Sequence, residues 1–273
     1  MSIHTPTPPP PPARRRGAAF VISVVTIVAG ACIAFGTFVG TGLSAAHGMA
    51  ASRWDAVASG QTTSEVARGA LSSLDVVVAG AQLTVTSGDV EAPELDAATS
   101  GPNAWTFERD GDRLRVVSPS GTFIGDQAAA TLTLPRDAVV SADVRVSGGS
   151  VEADGDFDAL DVEVNGGSAT LSGTARSVDL SLAGGTASLR LDDTATAAFD
   201  VAGGRLTAAL NGSTPERVRV DVTAGSADIA LPDDEYAVTT DEGVGTVDNA
   251  LRTNAEAAAQ VDVTATMGRV TLR

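Results

Sequence analysis

The chain has 273 residues, 18 Lys+Arg against 34 Asp+Glu, and a net charge of -16. Every basic residue is arginine, and His4, His47 and the single cysteine, Cys32, lie in the first fifth of the chain. Residues 54–273 therefore offer no Schiff-base lysine, no Ser–His or Cys–His nucleophile pair, no His/Cys metal site and no disulfide. The charge is also uneven: residues 1–53 carry four Arg and no acid, while residues 54–273 carry the other 14 Arg and all 34 acids, a net of -20. A part that acidic repels phosphate backbones, so nucleic acid is not an expected partner. Aromatics make up only 4% of the chain, which leaves Val, Ala, Leu and Gly to fill thin, regular layers.

In chain order, residues 1–16 read as a cytoplasmic tail. Six of the twelve prolines fall between Pro6 and Pro12, and such a run stays extended and solvated. Arg14, Arg15 and Arg16 then precede an uncharged stretch, residues 18–39. As a helix this stretch would be about 33 Å long, enough to cross a bilayer, and the membrane helix is assigned to residues 17–43. The basic cluster places the N-terminus in the cytoplasm and the C-terminal part outside, with membrane lipid as the first partner. A cleaved signal peptide would have a shorter apolar region, so an uncleaved anchor is the reading. Cys32 sits where the apolar run continues and reads as a filler of the helix. Residues 44–72 form a juxtamembrane linker.

Residues 73–273 contain a repeat. A glycine pair or near equivalent recurs at Gly148-Gly149, Gly166-Gly167, Gly184-Gly185, Gly203-Gly204, Ala224-Gly225 and Met267-Gly268. The first four steps are 18, 18, 19 and 21 residues; the last, 43, fits two units, with Gly243-Val244-Gly245 as a degenerate copy between them. Aligned on the second glycine, the positions seven, five and three residues upstream and two and four downstream are apolar in all six copies. Val144, Val162, Leu180, Phe199, Val220 and Val263 make up one such column. Alternation on both sides of a glycine corner predicts two strands per unit, each with one buried face. Two short strands cannot bury that face alone, but stacked units can. The expected fold is all-β: a β-solenoid-like stack of two-strand coils of 18–21 residues, with a β-sandwich as the alternative. Residues 86–135 break the period. Asp110-Gly111-Asp112 predicts a hairpin turn, and the block reads as an end cap or a side sheet.

Leu74-Asp75-Val76-Val77-Val78, Leu83-Thr84-Val85, the Asp110-Gly111-Asp112-Arg113-Leu114 hairpin and the Gly-Gly units together resemble the bacterial "putative adhesin" β-strand-repeat family, over about residues 70–273. The resemblance implies a solenoid-like fold, a cell-envelope location and frequent anchoring by one membrane helix. It carries over no catalytic residue.

Outward positions form columns too. Six residues upstream of the reference stand Asp75, Asp143, Asp161, Asp179 and Asp262; four upstream stand Arg145, Glu163, Ser181, Asp200 and Asp221. Stacked in register, neighbouring acids would lie about 5 Å apart. A bound cation would relieve their repulsion, and so would a solvated face screened by salt. No catalytic, cofactor-binding or metal-binding residue is assigned. The expected function is a non-enzymatic, adhesin-like interaction domain on a single membrane anchor, meeting an envelope glycan or protein. The alternative is an accessory or sensor subunit of an envelope-stress signalling system, which would depend on residues 1–13.

Overall fold

The computed structural model describes residues 70–97, 104–119 and 128–273. The expected tail, membrane helix and linker, up to residue 69, lie outside the described residues. Among the described residues, no helix is long and apolar enough to cross a membrane. They fold into strands without an α-helix, joined in one continuous hydrogen-bonded sheet.

The repeat unit is a rung. Its upstream arm is a strand, a glycine corner follows, and its downstream arm is a second strand. The central rungs run from β7 (Val139–Ser147) through the long β8 (Gly149–Asp192) to β9 (Thr196–Val201) and β10 (Arg205–Asn211), then β11 (Arg217–Val222) and β12 (Ser226–Ala230). Upstream arms pair in parallel with upstream arms, and downstream with downstream, always at the aligned position. Val144 faces Val162, Leu180 faces Phe199, Phe199 faces Val220, and Leu206 faces Ala187 and Ala227. Every position of the five apolar columns is buried, and both sets of arms contribute to one hydrophobic cluster. Each Val or Leu side chain so buried contributes about 1.5–3 kcal/mol, and only the neighbouring rungs make that burial possible.

The order of rungs in space is not the order in the chain. The C-terminal strands β16 (Gln260–Ala265) and β17 (Arg269–Leu272) slot between two earlier rungs. On one side they pair with β11 and β12; on the other they pair with β13 (Glu235–Glu242) and β14 (Thr246–Asn249). The short β15 (Arg252–Thr253) pairs with the start of β13 as the chain returns. The degenerate copy around Gly243-Val244-Gly245 lies between its neighbours in sequence, but it is the outermost rung in space. The physical reason is in its columns. Opposite Val261, Val263, Ala265, Val270 and Leu272 it presents Val238, Thr240, Glu242, Val247 and Asn249. An interior place would bury the Glu242 carboxylate and the Asn249 amide without partners, at several kcal/mol. At the end of the stack both are exposed.

The other end uses the same device. β1 (Ser73–Ala79) and β2 (Gln82–Gly88) come first in the chain but second in the stack. They lie between β7/β8 and a rung built from β5 (Arg113–Val117) and β6 (Ala129–Pro135). That end rung is apolar inside, with Leu114, Val116, Leu132 and Leu134 buried. It is flanked in turn by antiparallel β4 (Thr106–Asp110) on β5 and β3 (Glu94–Ala97) on β6. Residues 86–135, which break the period, supply this closing layer, and the β4–β5 turn sits at Asp110-Gly111-Asp112 as the sequence predicts.

Tyr236 pins the turn that leads into the outermost rung. It is fully buried, and its hydroxyl donates to the Pro232 carbonyl at 2.8 Å. Burial, followed by the Asp234 and Asp233 charges, pushes its pKa up to about 12. It is the chain's single tyrosine, so an ultraviolet titration of the folded protein reads it alone. No phenolate is expected below about pH 11. Ionisation near pH 10 with the far-ultraviolet signal intact would show that the turn is open.

Candidate functional site

The outward columns produce one elongated groove of about 520 Å³ on the face of the upstream arms. Its trough is set by the column eight residues upstream of the corner: Ser73, Ser141, Ala159, Ser177 and Thr196. These side chains are too short to fill the surface between the flanking columns. Along the trough runs the aspartate column, Asp143, Asp161 and Asp179, and the groove ends on Arg217 and Arg219.

The column is continuous in space. Asp75 faces Arg115 on one side and Asp143 on the other, and Asp143 faces Asp161. Asp179 faces Ala198, which faces Arg219, which faces Asp262. The next column out reads Arg145 against Glu163, Ser181 against Asp200, and Asp200 against Asp221.

Arginines neutralise the two ends of this face and leave the middle bare. Arg145 lies 2.9 Å from Asp143 and 3.7 Å from both Asp75 and Glu163; Arg115 reaches Asp75 at 3.7 Å. At the far end Arg219 holds Asp221 at 2.7 Å. Asp161, Asp179 and Asp200 form no ion pair or side-chain hydrogen bond among the described residues. Burial, then the Asp143 and Asp179 charges, raises the Asp161 pKa. Burial, then Asp221, raises that of Asp200. The groove thus carries two carboxylates without an ion pair, Asp161 and Asp179, on walls that are otherwise mostly apolar, with Ala142, Leu160, Val178 and Ala197 beside the short serines and threonine. It can attract cationic or hydrogen-bond-donating groups along its length. Its serines have no histidine or lysine to activate them, since residues 54–273 contain neither. Among the described residues, no group of three or more His, Cys, Asp or Glu is placed to hold a metal ion.

The raised values fix a sign. A carboxyl whose pKa is raised by folding binds its proton more tightly in the folded chain, so its penalty on folding is present at neutral pH. That penalty fades as pH falls through the folded value toward the unfolded one near 3.8. Asp161→Asn is therefore expected to raise the urea midpoint at pH 7, and the gain should vanish by about pH 4. A variant that is less stable than the parent at pH 7 would mean that Asp161 has a partner. Asp112 and Asp234 act in the opposite sense. Hydrogen bonds from Ser72 and Thr214 hold their values below 3.8, so their contribution is present above that pH and is lost as pH falls through the lowered values.

The sequence columns locate the aspartates, and the structure brings Asp143, Asp161 and Asp179 into one groove. It separates Asp75, which is engaged by two arginines, and Asp262, which lies beyond Arg219. The column of short residues and Arg217 stand outside the columns drawn from the sequence. Their signal was present in the same alignment, as a column of small residues that ends on arginine.

Fold and groove together define an all-β protein of parallel, in-register rungs with a groove along the stack that carries an aspartate column. No family model matches the chain, and no curated protein matches it. Among solved structures it is similar to a "putative cell adhesion protein" from Clostridium sporogenes. The two share 12% identity over 75% of this chain and 93% of that one, at a TM-score of 0.36. It is also similar to a "putative adhesin" from Bacteroides fragilis, at 12% identity over the same shares of the two chains and a TM-score of 0.32. Overlaps this loose transfer no function.

Proposed function

We propose that the chain is a cell-envelope protein held by one N-terminal membrane helix. Its external part is a non-enzymatic, adhesin-like β-solenoid that takes an envelope glycan or protein along the groove. The observation that carries this reading is the register. Outward side chains fall in straight columns over successive rungs, so the groove runs across several rungs, suited to an extended partner rather than to a small substrate. Rigid parallel stacking also holds the face in its binding geometry, which lowers the entropic cost of association.

The test is capture of envelope components by the intact protein in detergent, compared with Asp161→Asn/Asp179→Asn. Selective loss of a captured species with the double variant supports the reading; capture that is identical, or absent in both, overturns it. Deleting residues 1–13 is expected to leave capture and cell association unchanged. A signalling phenotype abolished by that deletion would favour the accessory or sensor role instead.

A further inference from the structure

Rungs in the stack are about 4.8 Å apart, so side chains of one column on consecutive rungs are neighbours. Asp161 and Asp179 are such neighbours, both exposed and both on the groove. The arginines nearest to them are engaged elsewhere. Arg145 reaches Asp143, Asp75 and Glu163, Arg219 holds Asp221, and Arg217 donates to Gln260 Oε1 at 3.1 Å. Beside the two carboxylates the surface is aliphatic: Ala159 and Ala198 are half-buried, and the edges of Leu160 and Val178 show between the short side chains. Among the described residues that line the groove, none is aromatic, so nothing there stacks on a sugar ring.

We propose that the groove's partner is a polypeptide, held by a lysine or arginine side chain whose head sits between Asp161 and Asp179 and whose stem lies on the aliphatic wall. The inference rests on the groove being the binding site. Lysine and arginine match this surface at both ends: the stem packs along hydrocarbon while the charged head stays among polar groups. A head midway between two carboxylates about 5 Å apart makes charge-assisted hydrogen bonds to both and offsets their mutual repulsion. A neutral glycan brings hydroxyl groups alone and leaves that repulsion in place; an anionic one adds to it. An extended polypeptide along the groove also lays its backbone N–H and C=O groups beside Ser141, Ser177 and Thr196, whose hydroxyls both donate and accept.

The test is fluorescence anisotropy with the intact protein in detergent at low ionic strength. The probe is a dye-labelled peptide, blocked at both ends, in which one lysine stands among alanines and glycines. Its twin carries the same lysine acetylated at Nζ, which keeps the stem and removes the charge. The lysine peptide is expected to bind about tenfold more tightly than the twin, the size expected of two partly exposed ion pairs. Asp161→Asn/Asp179→Asn should abolish that difference. Asp241→Asn/Asp248→Asn removes the same charge from the exposed outermost rung and should preserve it. Equal binding of the two peptides, an equal loss in both double variants, or preference for a neutral chitin oligosaccharide would overturn the proposal. Its failure is distinct from that of the groove itself. Envelope capture that still depends on Asp161 and Asp179, with the lysine peptide unbound, refutes the cationic contact alone; capture indifferent to those residues refutes the groove as the site.

Discussion

Gly167→Ala is expected to destabilise the domain by about 4 kcal/mol, which brings a typical domain close to unfolding. Two independent costs combine. The backbone at Gly167 has φ of +92°, and a side chain held in such a conformation costs about 1–3 kcal/mol. An added Cβ would also be driven into the carbonyl oxygen and amide nitrogen of Gly149 on the rung beneath. Those atoms are backbone, fixed by ladders on both sides, and cannot turn away as a side-chain tip would. Relief requires the rungs to part at the corner, an overpacking cost of about 1–3 kcal/mol. Gly184 is the internal control. It is also half of a corner pair, but it has no positive φ, and a Cβ there meets nothing within 4 Å. Gly184→Ala should lie within about 0.5 kcal/mol of the parent. Urea unfolding followed by far-ultraviolet circular dichroism separates the two. Equal midpoints for the two variants would refute the nesting of one corner on the next.

That contrast marks what could be read from the sequence and what could not. The glycine pairs gave the corners, and period-two alternation around them gave the arms and the buried columns, because both signals are local. The same letters do not say which glycine of a pair nests on the rung below. Nor do they state the order of rungs. Val261-Asp262-Val263 pairs equally well with any neighbour that has the same alternation, so register is local information and adjacency is not. A clue was present in Thr240, Glu242 and Asn249, which occupy apolar columns with polar groups. A rung that tolerates them has one face in water. The candidate site divides in the same way. The aspartate columns follow from spacing, whereas the bare middle of the face depends on which rungs carry Arg145, Arg115 and Arg219 opposite them. Arg145 and Arg219 stand in different columns and reach sideways, so alignment alone does not show whom they neutralise.

Val263→Asp should abolish folding at neutral pH, while Thr240→Asp, in the facing position one rung away, should change stability by less than about 0.5 kcal/mol. Val263 is 2% exposed and lies between Val220 and Thr240. A carboxylate there has no arginine within reach of the interior and stays protonated rather than ionise. Holding a carboxyl neutral at pH 7 against an unfolded pKa of about 3.9 costs about 4 kcal/mol, and the lost valine burial adds about 1.5 kcal/mol. The sum, about 6 kcal/mol, reaches the range of whole-domain stability. The sign is that of a raised acid: the penalty is full at neutral pH and falls as pH drops toward the unfolded value, so partial refolding is expected near pH 4. Thr240 tests the rung order directly. Stacking in chain order would place it between Val220 and Val263, and an aspartate there would be as damaging as one at 263. In the observed order it is on the last rung, exposed, and the substitution adds one acid to a face already open to water. Thermal or urea unfolding of the two variants decides the matter: comparable losses would restore chain order, and loss confined to Val263→Asp requires the inserted rung.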